Sequence, residues 1–440
     1  VLECIVTKFG GSSLASDEQF RKVRSILELE PTRRYLIPSA PGKRFSGDEK
    51  VTDLLYLCHR KASEGQPFAE DFAKIRERYM SIANGLHLKA DIAGKLDEVE
   101  QGIASGKGAD WCASRGEYLC GLLMADYLGW RFLDPADGIV FRADGMLDDA
   151  QTQEKLSMLL ADGESTVVPG FYGALENGEV HTFSRGGSDI TGALVARAVN
   201  ADVYENWTDV SGFLMADPRI VESPAEISSI TYQELRELSH MGASVLHEDA
   251  MFPVHRAGIP TNIRNTNKPY HPGTMISRNA PHEASVPTIT GIAGHRGYSV
   301  ISVEKNMMNS EVGFGRKVLA VLEEEGVCFE HMPTGIDSMC VVVNSEMLAP
   351  HRDQIIARIE KLVGNSGSVS ISDNLSIIAT VGRGMVHNCG TAARLFSAMS
   401  RARINVRMID QGSSELSIIV GVNDSDFEAT INAIYHEFVG

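Results

Sequence analysis

The sequence predicts an α/β protein, a doubly wound and mainly parallel sheet domain followed by two smaller units of ferredoxin-like βαββαβ order. Three observations carry this. The chain opens as strand, glycine turn, helix and strand. Residues 2–9 are apolar apart from Glu3, Thr7 and Lys8, and Gly10-Gly11-Ser12-Ser13 follows. Phe20, Val23 and Leu27 then recur at helical spacing behind a Ser16/Gln19 capping box, and residues 35–37 form the next strand. From 48 to 130 the pattern is mainly helical, as at 51–60 and 114–127, and strand-like runs then return at 166–171, 180–183, 203–207 and 260–264, with a helical region ending near Ala250 between the last two. Finally, the C-terminal part repeats itself at a constant offset of 77 residues, from Gly313 to Gly390 and from Gly335 to Gly412. Each copy reads strand, glycine turn, amphipathic helix, strand, strand, helix.

At 440 residues the length suggests about three domains. The polar, proline-bearing stretch 279–287 reads as a linker, giving a partition at 1–285, 286–374 and 375–440. A net charge of −17, from 41 basic against 58 acidic residues, argues against a nucleic-acid or anionic-membrane partner. Small anionic ligands need only a local cation cluster. Seven scattered cysteines without a C-x-x-C pair read as reduced cytoplasmic thiols, so neither a disulfide framework nor a structural metal site is expected. No apolar run reaches the ~18 residues of a membrane span.

Four elements carry chemistry. In Lys8-Phe9-Gly10-Gly11-Ser12-Ser13 the glycines leaving a strand allow backbone N–H groups to reach phosphate oxygens, and a lysine adds a point charge. The lysine precedes the glycines, so this is not a Walker A loop, and no dinucleotide fingerprint occurs. In Ser184-Arg185-Gly186-Gly187-Ser188-Asp189 an arginine suited to fork a carboxylate precedes a helix N-terminus. Trp207-Thr208-Asp209-Val210-Ser211-Gly212, with Asp217-Pro218-Arg219 beyond it, offers hydroxyl, carboxylate and guanidinium groups. Ser114-Arg115-Gly116-Glu117 reads as a helix start whose glutamate is suited to a ligand ammonium. Taken singly, each is also ordinary local structure: a βα turn, an N-cap with a surface arginine, a turn, a first-turn dipole partner.

Taken in this order, K-F-G-G-S-S at 8–13, S-R-G-G-S-D at 184–189 and W-T-D-V-x-G at 207–212 resemble the aspartate kinases of the amino-acid-kinase family. The resemblance covers essentially the whole chain, and the C-terminal repeat resembles that family's tandem ACT sensor domains. It implies ATP-dependent phosphorylation of the aspartate side-chain carboxylate to 4-phospho-L-aspartate with Mg²⁺, as the first step of lysine, threonine and methionine biosynthesis. Catalysis would rest on Lys8, held by Asp189. Ser39, Thr52, Glu117, Phe171, Arg185, Gly187 and Ser188 would surround aspartate. Lys8, Gly10, Gly11, Ser12, Thr208, Asp209, Leu214, Arg219 and Ser244 would line the nucleotide side. Met308, Gly313, Phe314, Gly315, Cys328, Phe329 and Glu330 would contact a feedback effector, lysine or threonine, although Phe314 and Phe329 read equally well as core. No protein metal ligand is assigned.

The family implies a homodimer or homotetramer through the ACT domains, with one unit inserted in the other. A cytoplasmic location is expected from the thiols, and, with the sequence stopping after the repeat, no fused homoserine dehydrogenase is expected. Three departures stand out: Ser244 where a lysine is common, Leu246-His247-Glu248 in place of L-H-P, and Pro38 in the strand before Ser39. Glu330 likewise replaces a commoner aspartate. The attacking carboxylate is ionised at neutral pH, its pKa being about 3.9, so no general base is required. Two other readings remain open: a sister carboxylate or carbamate kinase, and a catalytically silent amino-acid-binding regulator.

Overall fold

The computed structural model describes residues 3–184, 186–242, 252–278 and 287–440. The chain divides into two compact units: Val1–Phe213 with Ser228–Tyr232 and Val245–Pro281, and Leu214–Ile227 with Gln233–Ser244 and His282–Gly440.

The first unit is built on an eight-stranded sheet. Its strands in chain order are β1 (Ile5–Phe9), β2 (Arg33–Pro38), β3 (Arg131–Phe132), β4 (Thr166–Val167), β5 (Val203–Thr208), β6 (Ser229–Thr231), β7 (Thr261–Asn265) and β8 (Thr274–Ser277). Across the sheet they run β6-β8-β7-β5-β1-β2-β4-β3, and only β7 and β8 pair antiparallel. Every residue of β1 is buried, as expected of a parallel strand covered on both faces. One face packs against α1 (Asp17–Glu28) and the helices α2 (Val51–Ser63), α3 (Ala69–Gly85), α4 (Ile92–Ala104) and α5 (Ala109–Leu128), in a core that includes Phe9, Leu36 and Trp207. Another helix, α6 (Gly187–Ala198), packs against β1, β2 and β5.

Local chemistry sets the boundaries. Ser16 caps α1 by accepting the Gln19 backbone N–H. The strand expected over 166–171 is shorter, β4 ending at Val167, because Pro169 has no N–H to continue a ladder. The helix expected to begin at Ser114 begins at Ala109. Glu117 therefore lies roughly two turns inside it, which removes the first-turn dipole reading, since that effect fades beyond the end turn.

The second unit contains a six-stranded antiparallel sheet. Its strands are β9 (Gly291–Lys305), β10 (Phe329–His331), β11 (Ser338–Asn344), β12 (Gly367–Val381), β13 (Met408–Asp410) and β14 (Ser417–Asn423), in the order β10-β11-β9-β12-β14-β13. The helices α7 (Phe314–Glu324) and α8 (Arg352–Val363) serve one core, and α9 (Thr391–Arg401) and α10 (Phe427–Phe438) the other. Gly313 and Gly390, equivalent in the repeat, both precede a helix with positive φ, 82° and 86°.

The two ferredoxin-like halves are interleaved. The 15-residue strands β9 and β12 pair along nearly their whole length, from Gly291↔Val381 to Lys305↔Gly367. The second half of β9 pairs with β11, while the first half, 291–295, closes the sheet that β12, β13 and β14 form. Residues 233–240 belong to this unit through Glu234, which is fully buried and accepts from Thr290 Oγ1 (2.6 Å), the Arg383 backbone N–H (2.9 Å) and Arg383 Nη1 (2.9 Å). No helix among the described residues is long and apolar enough to cross a membrane.

Candidate functional site

Side chains alternate along β1 and β5, so Lys8 and Asn206 share the α6 face while Phe9 and Trp207 share the opposite one. Lys8 is 8% exposed. Its ammonium meets Asp189 Oδ1 of the first turn of α6 at 2.6 Å and Asn206 Oδ1 at 3.4 Å. A methyl group placed on Gly10 would sit 3.8 Å from Lys8 Nζ, so the charge lies beneath the glycine turn. Opposite, Trp207 stacks on Phe9 with centroids 5.7 Å apart, and the guanidiniums of Arg33 and Arg264 lie over its ring at 5.3 and 4.7 Å. Buried Glu205 accepts from the Trp207 indole N–H (2.9 Å) and from both arginines. This network fixes the strand end that carries Thr208 and Asp209, and the Trp207 carbonyl accepts the Gly10 N–H at 3.0 Å.

The turns after β1, β2 and β4 meet above the sheet. Ser39 N–H donates to the Phe9 carbonyl (3.1 Å), Gly42 N–H to that of Gly11 (2.8 Å), and Gly170 N–H to that of Pro38 (3.0 Å). A Cβ on Gly42 would lie 2.6 Å from the Gly11 carbonyl carbon. Gly42→Ala is therefore expected to destabilise the chain by about 1–3 kcal/mol, as overpacking does, read from a denaturant melt. A variant as stable as the parent chain would show that these turns separate freely.

Phe171 has a φ of 83°, unusual for a bulky residue. Its conformation is held by hydrogen bonds from its N–H to Thr191 Oγ1 (3.2 Å) and from the Phe183 N–H to its carbonyl (3.0 Å). Gly187 packs against Phe171, and Gly170 against Ser188. Lys8, Gly10, Gly11, Ser39, Phe171, Gly187, Ser188 and Asp189 thus line one region at the carboxyl ends of parallel strands, where doubly wound folds place ligands.

On α5, Gly116 packs against Ala40 and Val51, bringing Glu117 beside Ala40 and placing the first turn of α2, with Thr52, nearby. Glu117 is 6% exposed, and its Oε2 has no hydrogen-bond partner among the described residues. Burial pushes its carboxyl up to about 8, against the opposing hydrogen bond of the Ala40 backbone N–H. A buried carboxyl with an unmatched oxygen is suited to a cationic ligand group.

The remaining candidates are placed as follows. Thr208 is half-buried and donates to exposed Asp209 (3.2 Å); Asn265 Nδ2 donates to the Asp209 carbonyl (3.2 Å). Ser12 is half-buried in the turn after β1. Leu214 and Arg219 fall in the second unit, where Arg219 is exposed and paired with Asp217 at 2.6 Å. Arg185 and Ser244 lie outside the described residues, as does Leu246-His247-Glu248.

In the C-terminal repeat, Met308 and Phe314 belong to the core of the first half, and Lys305 Nζ lies over the Phe314 ring at 4.6 Å. Gly313 precedes α7 and Gly315 lies within it. Cys328 and Phe329 are exposed, and Glu330 meets His240 Nε2 at 2.9 Å. Asn206, Glu205 and Asn265 were not singled out from the sequence. The signal for Glu205 and Asn206 is polar residues amid Val203, Tyr204 and Trp207, whereas Asn265 ends a strand, Thr261–Asn265, in which only Ile263 is apolar, and carries none.

Comparison with known proteins agrees with this geometry. A model described as the amino acid kinase family matches residues 3–265, and one described as an ACT domain matches 378–438. Aspartokinase 3 of Bacillus subtilis is 38% identical over 448 aligned positions covering 98% of each chain. The crystal structure of an aspartate kinase from Clostridium acetobutylicum, described as an allosteric enzyme, superposes with a TM-score of 0.92 at 50% identity, covering 99% of this chain and 100% of that one. Escherichia coli aspartokinase III in complex with lysine and aspartate gives 0.73 at 22% identity, covering 100% of both chains, a likeness of fold.

Proposed function

We propose, from the premise that this chain belongs to the amino acid kinase family and is an aspartate kinase, that it moves the γ-phosphoryl group of ATP onto the side-chain carboxylate of L-aspartate. The product is 4-phospho-L-aspartate, and the reaction opens lysine, threonine and methionine biosynthesis. The observation that carries this reading is Lys8, a buried ammonium paired with Asp189 beneath a glycine turn.

The roles follow from charge and reach. Lys8 neutralises charge on the transferring phosphoryl group, while Gly10, Gly11 and Ser12 present N–H groups to the phosphates. Glu117 takes the substrate ammonium. Arg185 forks its α-carboxylate, with Ser39, Thr52, Phe171, Gly187 and Ser188 completing the aspartate side. Thr208, Asp209, Leu214, Arg219 and Ser244 serve the nucleotide. The acceptor is already ionised, so positioning and charge neutralisation carry the step.

The described residues hold no group of three or more His, Cys, Asp or Glu side chains able to bind a metal. Mg²⁺ binding fits a metal brought by the nucleotide, with phosphate and water as most of its ligands. It would neutralise phosphate charge there.

The interleaved C-terminal halves are assigned amino-acid sensing, with lysine or threonine as feedback effector and self-association as a dimer or tetramer through these halves. The domain partition 1–285, 286–374 and 375–440 is kept as a proposal by chain order, with residues 291–295 lending a strand to the last part. A cytoplasmic setting is supported by seven free thiols.

ADP release is the test, measured with aspartate, glutamate and N-acetylglutamate, and repeated with lysine or threonine. Release is expected with aspartate alone, falling when an effector is added. Release with another acceptor would reassign the substrate, no release would make the chain a silent regulator, and indifference to every effector would remove the sensor role.

A further inference from the structure

Asn206 is an unexpected residue for its position. It lies in β5, next to the centre of the sheet, where a parallel strand buried on both faces is ordinarily apolar, and asparagine is a poor strand former. It is 2% exposed and stands directly opposite Lys8 in the β1–β5 ladder. Its amide Nδ2 donates to Asp189 Oδ1 at 2.8 Å, and its Oδ1 accepts from Lys8 Nζ at 3.4 Å. Chemistry fixes this orientation. The ammonium has only donors and the ionised carboxylate only acceptors, so a flipped amide would set donor against donor and acceptor against acceptor.

We propose that Asn206 is a positioning residue that aims Lys8 in phosphoryl transfer, an inference that rests on the kinase reading above. An ammonium has three N–H groups. Asp189 takes one and Asn206 a second, which fixes the direction of the third. The same Asp189 oxygen receives both Lys8, at 2.6 Å, and the Asn206 amide. The amide therefore shares the carboxylate's charge and keeps Lys8 from being spent wholly on its partner. Without it, Lys8 has one anchor about which to swing, and misplacing a catalytic group by about 1 Å is enough to cost on the order of 100-fold in rate. The neighbouring side chain on this face, Tyr204, donates its hydroxyl to the Asp189 backbone carbonyl at 3.2 Å and so fixes the helix end, but does not reach Lys8.

Two variants test this in the ADP-release assay, each alongside the parent chain. Asn206→Leu keeps the branched heavy-atom skeleton with somewhat greater bulk and removes both hydrogen bonds. Its kcat is expected to fall about 10- to 100-fold, with the KM for aspartate within about threefold. Asn206→Asp keeps the acceptor but loses the donor until the new carboxyl, crowded against Asp189, takes up a proton. Its kcat relative to the parent chain is expected to be low at pH 8 and to recover several-fold towards pH 6. Should the leucine variant fail to fold, the pH profile of the aspartate variant decides. A folded leucine variant with kcat within about twofold of the parent, a loss confined to KM, or an aspartate variant whose profile parallels the parent's would overturn the proposal. An inactive parent chain would instead defeat the kinase reading, and this inference with it.

Discussion

Lys8→Ala is expected to lower kcat for aspartate phosphorylation by about 1,000-fold while moving the KM for aspartate by less than about threefold. The magnitude follows from what the lysine supplies. Charge builds on the transferred group's oxygens as the reaction proceeds, and preorganised cations or donors at such positions are worth about 10²- to 10⁵-fold. The small KM effect follows from geometry, because Lys8 lies beneath Gly10, whereas Glu117 is set beside Ala40 on another element. The substitution also has a stability cost. Lys8 and Asp189 are a buried pair, with side-chain exposures of 11% and 16%, and removing one member leaves the other's charge poorly compensated. Such truncations cost roughly 3–5 kcal/mol, and the Asn206 amide that remains on Asp189 offsets part of this. A denaturant melt separates the two effects, so kcat is to be compared where the variant is shown to be folded. A folded variant retaining more than about a tenth of the parent kcat would take Lys8 out of the chemical step.

Lys8, the glycine turn and Ser188-Asp189 were legible in the sequence because each is a local signal, a strand end or a helix start marked by glycine and serine. Asn206 was not, because its meaning exists only in the pairing of β1 with β5, where it faces a residue 198 positions away. The start of α5 was misplaced for an equally physical reason. Gly108 precedes it without any side-chain cap, so nothing at Ala109 advertises a helix as strongly as Ser114 does. In the C-terminal half the 77-residue repeat exposed both glycine turns. It could not show that residues 291–295 complete the other half's sheet, because strand exchange leaves no periodic trace. Nor could spacing separate Phe314, which is core, from Phe329, which is exposed. Glu234 shows the same limit for the compact units, since its partners in the second unit, Thr290 and Arg383, lie 56 and 149 positions further along the chain.

Aspartate binding is expected to release close to one proton at neutral pH, and Glu117→Gln to abolish that release. In the free chain burial holds the Glu117 carboxyl at about 8, so at pH 7 it is mostly protonated. The reading above needs it ionised, because its Oε2, without a partner among the described residues, is to face the substrate ammonium. Binding must therefore pull the pKa down and expel the proton. Below pH 8 the affinity for aspartate should strengthen by up to tenfold per pH unit, then level off above pH 8. The same group sets a limit on folding. Its folded pKa lies above the unfolded value of about 4.3, so its contribution to stability is fully present below pH 4.3 and is lost as pH rises through 8. The full difference is on the order of 5 kcal/mol, and Glu117→Gln is expected to flatten that part of the stability profile while weakening aspartate binding by at least tenfold. Titration calorimetry at pH 7 in buffers of different ionisation enthalpy reads the proton directly. A binding enthalpy indifferent to the buffer would mean that Glu117 is already ionised, or that the substrate ammonium is held elsewhere. The Glu117→Gln stability profile separates those two outcomes, since only a carboxyl that is neutral in the free chain leaves the variant relatively more stable at pH 9 than at pH 5.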